Sequence, residues 1–270
     1  SSRRRHTRYA DRSRGLGDVY KRQGVAFFCG CAGVAPGRSV KTTLPEHVTD
    51  TGAKGWWAVR FQMNWPEDTP PSWYMDTLIA HQVVAPTLDH YQERIDLWRF
   101  HRRASRDSAG HQFSFIFYTD VVSARLITDE LCNDALMASL IRSGSVRRIL
   151  SEDTQTITKP EIADTSDPVW PPAVQQAWPY FIDGVSRSWL ELVEQTVQRS
   201  RPSVDDMSAP ALQDYYRTID KEVQEAWETQ GRHAFLHHLN AIFGYAPVVV
   251  YEKKYMKFLH RSGPLIYFGS

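Results

Sequence analysis

Two stretches of sequence decide the fold: GWWAVRFQMN at Gly55–Asn64 and HQFSFIFYTD at His111–Asp120. In both, large apolar residues alternate with other residue types, which is the period-two pattern of a strand buried on one face. Phe113, Phe115 and Phe117 form the apolar row of the second stretch. Both stretches therefore predict strands of an antiparallel sheet that packs one face against a core.

Helical segments and two further strands complete the pattern around these stretches. Apolar residues recur at helical spacing over Trp73–Ile95, where Pro86 should kink or split the helix because it lacks a backbone N–H. A second helical segment, Val121–Ser143, is followed by a glycine that should stop it. The segments Asp96–Arg103 and Ser145–Glu152 predict the second and fourth strands.

The order of elements over residues 55–152 is therefore βαββαβ. This order predicts an α+β fold of the ferredoxin-like type, with two helices on one face of a four-stranded antiparallel sheet. Residues 153–172 are rich in proline and aspartate and predict a linker. Residues 173–270 predict a mostly helical region, interrupted near Gly231, which we expect to pack on the same core. Within it, Val248–Phe258 is a candidate for a last strand.

The first 23 residues are strongly basic, with seven arginines and one lysine against two aspartates. A real basic arm would be drawn to nucleic-acid phosphates. The strings SSRRRHTR and DVYKRQ, however, resemble translated sequencing-adapter read-through, so residues 1–23 are set aside as a probable artefact. The whole chain has 32 basic and 31 acidic residues; without this segment it has 24 and 29, a net charge of −5. We therefore expect no nucleic-acid partner.

The stretch GVAFFCGCAG at residues 24–33 resembles the end of a bacterial signal region with a lipobox. In bacterial lipoproteins a cysteine at this place receives diacylglycerol and a flexible polar tether follows. The resemblance implies that Cys31 is lipidated, that residues 24–54 comprise signal remnant, lipobox and tether, and that the protein is anchored to the membrane surface of the bacterial envelope, facing the periplasm. The alternative is a short buried strand with two inert cysteines. The third cysteine, Cys132, is expected to be a buried, inert thiol.

Basic and polar residues occupy the other face of the predicted strands. The candidate residues for binding an anion or another ligand are Arg60, Arg99, His101, Arg103 and Tyr118, with His111 at the entrance of the third strand. Guanidinium groups bind carboxylate and phosphate through paired hydrogen bonds. This face therefore predicts a site for a small anionic ligand or a peptide. The alternatives are a solvated face, or a face covered by the C-terminal helices with its charges at the rim.

No sequence pattern for catalysis, a cofactor or a metal is evident. His233 and His237 are spaced i, i+4 on a predicted helix, which can chelate a metal, but no third ligand accompanies them. An exposed histidine pair is the preferred interpretation. Because phosphate-binding, dinucleotide-binding, nucleophile-elbow and EF-hand motifs are lacking, we predict no catalytic residues, no cofactor and no bound metal.

The segments WWAVRFQM, WYMDTLIAHQVVAPTLDHY, IDLWRFHRRA, GHQFSFIFY and SGSVRRIL resemble the C-terminal domain of lantibiotic dehydratases, which also occurs in thiopeptide-type bacteriocin biosynthesis proteins. The resemblance covers about 100 of the 270 residues. In that family the strand after the Gly-His turn carries alternating arginines. Here His111 is present, but Gln112, Ser114 and Ile116 follow it, which argues against the family's elimination or cyclisation chemistry. The whole body of the chain also resembles a group of uncharacterised bacterial lipoproteins, most closely in the segment WPYFIDGVSRSWLELVEQ (Trp178–Gln195).

Two functions of different classes follow from these observations. The first is a lipid-anchored protein of the bacterial envelope that binds a ligand or partner without catalysis. The alternative is a cytoplasmic enzyme or peptide-binding domain related to bacteriocin biosynthesis, in which Arg99, His101 and His111 act on an anionic group. Lipidation of Cys31 would favour the first function.

Overall fold

A computed structural model describes residues 52–200 and 207–244. It contains one four-stranded sheet, whose strands are β1 (Lys54–Met63), β2 (Leu97–Ala104), β3 (His111–Asp120) and β4 (Val146–Ser151). The strand order is β2-β3-β1-β4, and every neighbouring pair is antiparallel. The predicted α+β fold is confirmed, and the strand order is that of the ferredoxin-like arrangement.

Helices connect β1 to β2 and β3 to β4, and further helices follow the sheet. Their bounds are α1 (Trp73–Ile79), α2 (Ala85–His90), α3 (Val121–Cys132), α4 (Ala135–Arg142), α5 (Pro172–Arg199), α6 (Ala209–Ala226) and α7 (Arg232–Ile242). A π-helical turn, Trp227–Gly231, joins α6 to α7, so the predicted interruption near Gly231 is confirmed. The linker also contains a short 3₁₀ turn, Ile162–Thr165.

The two helical segments between the strands are each divided. The first consists of α1, a π-helical turn at Ala80–Val84, and α2. Pro86 lies in the first turn of α2, where a backbone N–H has no partner within the helix, so its absence does not weaken α2. It ends at His90, earlier than predicted. The second segment was expected to be one helix and is interrupted after α3. The Asp134 carboxylate accepts a hydrogen bond from the Met137 N–H (2.8 Å), and this N-cap starts α4.

The described chain divides into two compact units. The first comprises residues 52–71 and Val83–Arg187, and the second comprises Ser72–Gln82 and the described residues from Ser188 onward. The first unit therefore contains the sheet with α2, α3, α4 and the start of α5. The second contains α1, the rest of α5, α6 and α7. The domain boundaries expected from the sequence stay predictions.

In the first unit the sheet has an apolar face built from alternating residues. The strand register pairs Trp57 with Phe117 and Phe61 with Phe113, and all of these side chains are buried. The predicted inward row is thus confirmed. Helix α3 contacts β1 and β3, and α4 contacts β4. Their fully buried apolar residues, Ile127, Leu131, Met137 and Leu140, complete this core.

One edge strand of the sheet, β2, is covered by side chains of α5. The backbone N–H of Trp98 donates to the Asp183 carboxylate (3.0 Å), and the N–H of Phe100 donates to the Ser186 hydroxyl (3.0 Å). The Arg187 guanidinium also lies over the Trp98 ring, 5.1 Å from its centroid. These contacts satisfy edge groups that could otherwise pair with a foreign strand.

In the second unit, α6 packs its apolar side against α1. Leu212, Ile219 and Val223 are buried along α6. The Thr77 hydroxyl of α1 donates to the Asp220 carboxylate (2.7 Å), so a buried polar pair joins the two helices. The second oxygen of the Asp220 carboxylate accepts a hydrogen bond from the Gln224 side chain (2.8 Å), so both oxygens of this buried group are hydrogen-bonded.

Several expectations lie outside the described residues. These are the nature of residues 1–23, the lipobox with Cys31, and the candidate strand Val248–Phe258. Among the described residues, no helix combines the length and apolar character needed to cross a membrane.

Candidate functional site

The face of the sheet opposite the core brings four of the predicted ligand-binding residues together. Arg60 of β1, Ser114 of β3 and His101 of β2 form one cross-strand row. Arg99 and Arg103 lie two positions to either side of His101, so their side chains leave the same face of the sheet, about 7 Å from it along the strand. We call Arg60, Arg99, His101 and Arg103 the cationic cluster. The short, buried Ser114 side chain lies between its two sides.

The cationic cluster perturbs its own histidine. Burial, followed by the positive charges of the three arginines, lowers the pKa of His101 from its usual 6.5 to about 4. His101 is therefore neutral near pH 7 and offers one hydrogen-bond donor and one acceptor. The charges of these three arginines favour a nearby anion over a further cation.

Two carboxylates lie at the rim of the cationic cluster. Arg60 forms an ion pair with Glu152 (2.8 Å), and both side chains are 24% exposed. Lys159 approaches the same Glu152 oxygen at 3.4 Å. Arg103 pairs with Asp107 in the turn before β3, and the hydrogen bond from this arginine lowers the pKa of the Asp107 carboxyl. These partners hold the guanidinium groups of Arg60 and Arg103 in place.

Tyr118 lies on the same face as the cationic cluster but has another role. Its hydroxyl donates to the carbonyl of Pro160 (2.7 Å), and its ring packs on Trp56 at 5.3 Å between centroids. The Trp56 indole N–H in turn donates to the carbonyl of Ile162 (2.9 Å). Tyr118 therefore helps to hold the linker against the sheet.

His111 does not join the cationic cluster. It shares the odd-numbered row of Phe113 and therefore projects from the opposite face of β3. Its side chain is fully buried, and its ring meets the edge of Trp65 at 6.3 Å between centroids. The structure thus separates this residue from the other candidates.

The remaining candidate residues do not form a recognisable site. The rings of His233 and His237 are stacked 5.8 Å apart on α7. Nowhere in residues 52–200 and 207–244 do three or more histidine, cysteine, aspartate or glutamate side chains converge on a point suited to a metal ion. Cys132, at the end of α3, is half-buried rather than buried, because it occupies the last turn at the margin of the core.

The second unit contains a hydrogen-bonded cluster that the sequence did not reveal. His81, in the π-helical turn, has its Nε2 2.6 Å from the Glu194 carboxylate of α5. Its Nδ1 lies 2.6 Å from the hydroxyl of Tyr216 on α6, and the Gln82 amide donates to the same hydroxyl (2.7 Å). With Nε2 protonated, the Tyr216 hydroxyl donates to Nδ1 of His81, and the Nε2–H of His81 donates to the Glu194 carboxylate.

The geometry of this cluster is that of an internal polar connection. Tyr216 is fully buried, and burial raises the pKa of its hydroxyl. Although burial acts in the opposite direction, hydrogen bonds from Gln198 and His81 lower the pKa of Glu194. The sequence signal that could have found this cluster is the polar pair His81-Gln82 between the apolar residues Leu78–Ala80 and Val83–Val84.

The fold and the cationic cluster define an α+β protein with a positively charged sheet face. No protein-family model and no curated protein matches the chain. Among solved structures, a crystal structure of TsrL is similar at a TM-score of 0.32 and 13% identity, covering 69% of this chain. The match spans 55% of that chain. A likeness at this level establishes neither a shared fold nor a shared function.

Proposed function

We propose that the protein binds an anionic group of a small ligand or a peptide on the cationic cluster, without transforming it. The observation that carries this proposal is the half-buried His101 imidazole surrounded by three guanidinium groups. Like charges held close together on a partly buried surface repel one another. A carboxylate or phosphate oxygen between them would relieve that repulsion and accept charge-assisted hydrogen bonds.

The strand geometry supports this proposal. Residues on strands are held more rigidly than residues on loops, so the guanidinium groups need little ordering when a ligand binds. Arg99 and Arg103 project from the same face of β2, and Arg60 faces them across Ser114. An oxyanion above Ser114 would therefore be approached from two sides.

Isothermal titration calorimetry with sulfate and with acetate tests the proposal. The parent protein should bind sulfate, and Arg99→Ala should weaken binding by roughly tenfold or more, because it removes a charge-assisted contact of about 1.5–3 kcal/mol. The control is Arg125→Ala, since Arg125 is an exposed arginine on α3 that approaches Asp129 only at 4.0 Å. Absence of sulfate and acetate binding to the parent protein would refute the proposal.

Lipid anchoring through Cys31 is proposed on the sequence alone. Metabolic labelling with a palmitate analogue tests it in a recovered full-length gene, with Cys31→Ser as the control. Label in the parent protein and not in the control would support an envelope location. A soluble, unlabelled protein would favour the bacteriocin-related alternative.

The bacteriocin-related alternative has one structural observation in its favour. Gly110 has a positive φ of 62° and places His111 at the start of β3, as the resemblance implies. However, His111 lies on the opposite face from Arg99 and His101, so these residues cannot act on the same group. The anion-binding proposal needs only residues that share one face.

A further inference from the structure

We propose that strand β4 binds an extended, acidic peptide segment of another protein, which adds to the sheet as a fifth strand. This inference concerns an edge of the sheet and goes beyond the proposed function, which concerns the cationic cluster. In the strand order, β4 is the edge strand opposite to β2. Side chains of α5 cover the edge at β2, whereas β4 directs backbone groups away from the sheet.

The strand register shows which backbone groups of β4 point away from β1. The Glu152 N–H donates to the Ala58 carbonyl of β1 (3.2 Å), so these two residues form a hydrogen-bonded pair. In an antiparallel pair, the backbone groups of successive residues point alternately toward the neighbouring strand and away from it. The N–H and C=O groups of Ser151 and Ile149 therefore point away from β1. Within residues 52–200 and 207–244 no hydrogen bond reaches these groups, which can therefore pair with a further strand.

Arginines at the start of β4 determine the charge of the strand that fits this edge. Arg142 ends α4, Arg147 and Arg148 follow at the start of β4, and both Arg142 and Arg147 are exposed. The carboxylate at the other end of β4, Glu152, is already paired with Arg60 (2.8 Å). Opposite charges on neighbouring strands stabilise their pairing, and like charges weaken it. Carboxylates on an added strand would therefore be attracted to this edge.

The same charges argue against two other occupants of the edge. A second copy of β4 would bring a second set of arginines to the same edge, and like charges held close together repel one another. The candidate strand Val248–Phe258 of this chain carries three lysines and one glutamate, so it would also be repelled. An acidic segment of another protein meets neither objection.

The two faces of β4 determine the side-chain pattern of the added strand. Ile149 is buried on the core face, opposite Phe61, whereas Arg148 lies on the other face, opposite Gln62. Because successive side chains of a strand alternate between the faces, the added strand should place apolar side chains beside Ile149 and acidic side chains beside Arg148. Strand β4 has six residues, which sets the length of the segment that can pair with it.

Fluorescence polarisation of the full chain with a fluorescein-labelled peptide tests this proposal. The peptide matches the length of β4 and alternates valine with glutamate. The parent protein should bind it, and high salt should weaken the binding because exposed charges are screened. A control peptide with lysine in place of glutamate should bind at least about tenfold more weakly, because its charges repel the arginines.

Methylation of the peptide nitrogens tests strand addition directly. An added strand turns the N–H groups of alternate residues toward β4 and the others toward solvent. Methylation of one alternate set, either the valines or the glutamates, should therefore lower the affinity at least about tenfold. Methylation of the other set should leave the affinity close to that of the unmodified peptide.

Substitutions test the same contact from the side of the protein. Ser151→Pro removes an N–H that points away from β1, so it should weaken binding of the glutamate peptide about fivefold. Ser151→Ala keeps this N–H and should bind like the parent protein. Arg147→Ala should weaken binding by up to about fivefold, the range of an exposed charge pair. Arg125→Ala, which changes an exposed arginine on α3, should have no effect.

Several results would overturn this inference. If the glutamate peptide does not bind, or if both methylated peptides bind as well as the unmodified one, β4 does not accept an added strand. Equal binding of the lysine peptide would contradict the selection of an acidic segment. A dimer of the parent protein in sedimentation that Ser151→Pro abolishes would assign the edge to a second copy. Each of these results leaves sulfate binding at the cationic cluster, and hence the proposed function, unaffected.

Discussion

Replacing His101 with glutamine should make the stability of the protein less sensitive to acid. In the folded protein without a ligand, the pKa of His101 is about 4, whereas its usual value is 6.5. Between these values the unfolded chain binds more protons at this position than the folded chain does. Stability contributed by the neutral imidazole is therefore present at high pH and is lost as the pH falls.

The size of this effect follows from the two pKa values. Between about pH 8 and about pH 5, protonation of His101 in the unfolded chain alone should remove about 2 kcal/mol from the free energy of unfolding. His101→Gln has no group to protonate, so its loss over the same interval should be about 2 kcal/mol smaller. The other nine histidines contribute equally to both proteins and cancel in the comparison.

Urea unfolding at the two pH values, in buffers without phosphate or sulfate, measures this difference. Loss of near-ultraviolet circular dichroism from the nine tryptophans, six of which lie in the first unit, follows the unfolding. His90→Gln provides the matched control, because His90 is 65% exposed. An identical loss of stability in the parent protein and in His101→Gln would refute the reasoning about the cationic cluster.

Three further predictions concern residues outside the cationic cluster. Tyr216→Phe removes the hydroxyl that contacts His81 and Gln82 and should lower the free energy of unfolding, measured in urea, by about 1–3 kcal/mol. An unchanged unfolding midpoint would contradict a structural role for this buried hydroxyl. Gly55→Ala should lower the free energy of unfolding by about 1–3 kcal/mol, because the new Cβ would lie 2.6 Å from an Ile157 carbon. The control is Gly184→Ala, whose new Cβ would have no neighbouring atom within 4 Å. This variant should instead raise the melting temperature slightly. Asp183→Ala uncovers the Trp98 N–H of the edge strand β2, so it should lower the free energy of unfolding by about 1 kcal/mol and increase concentration-dependent aggregation. Light scattering equal to that of the parent protein would argue against protection of this edge.

The sheet could be predicted from the sequence because alternation of apolar residues is a local signal. Strand β3 runs from His111 to Asp120, as predicted, because its alternating pattern is uninterrupted. The same alternation placed Arg60, Arg99 and His101 on one face. It also placed His111 on the other face, although its position at the strand entrance hid that consequence.

Breaks within helices were harder to predict. Apolar spacing continues through Asn133 and Asp134, so the new N-cap that starts α4 was overlooked. A π-helical turn changes the spacing of apolar residues by only a single residue. The sequence therefore predicted continuous helix through the turn at Ala80–Val84. Both are local features that a pattern averaged over many residues does not resolve.

The polar partners of the candidate residues depend on contacts distant in sequence. Arg60 meets Glu152, 92 residues later, and His81 meets Glu194, 113 residues later. Neither pair has a periodic signal, because each follows from how separate elements pack. Sequence reasoning could therefore identify the cationic face but not the carboxylates that hold it.

Nuclear magnetic resonance of the His101 imidazole tests the central claim most directly. Its pKa would be measured in the full chain, first in a buffer without oxyanions and then with saturating sulfate. Anion binding at the cationic cluster predicts a pKa of about 4 without sulfate and a higher pKa with it, because the anion offsets the arginine charges while burial continues to lower the pKa. An imidazole whose resonances and pKa are the same with and without sulfate would contradict the claim.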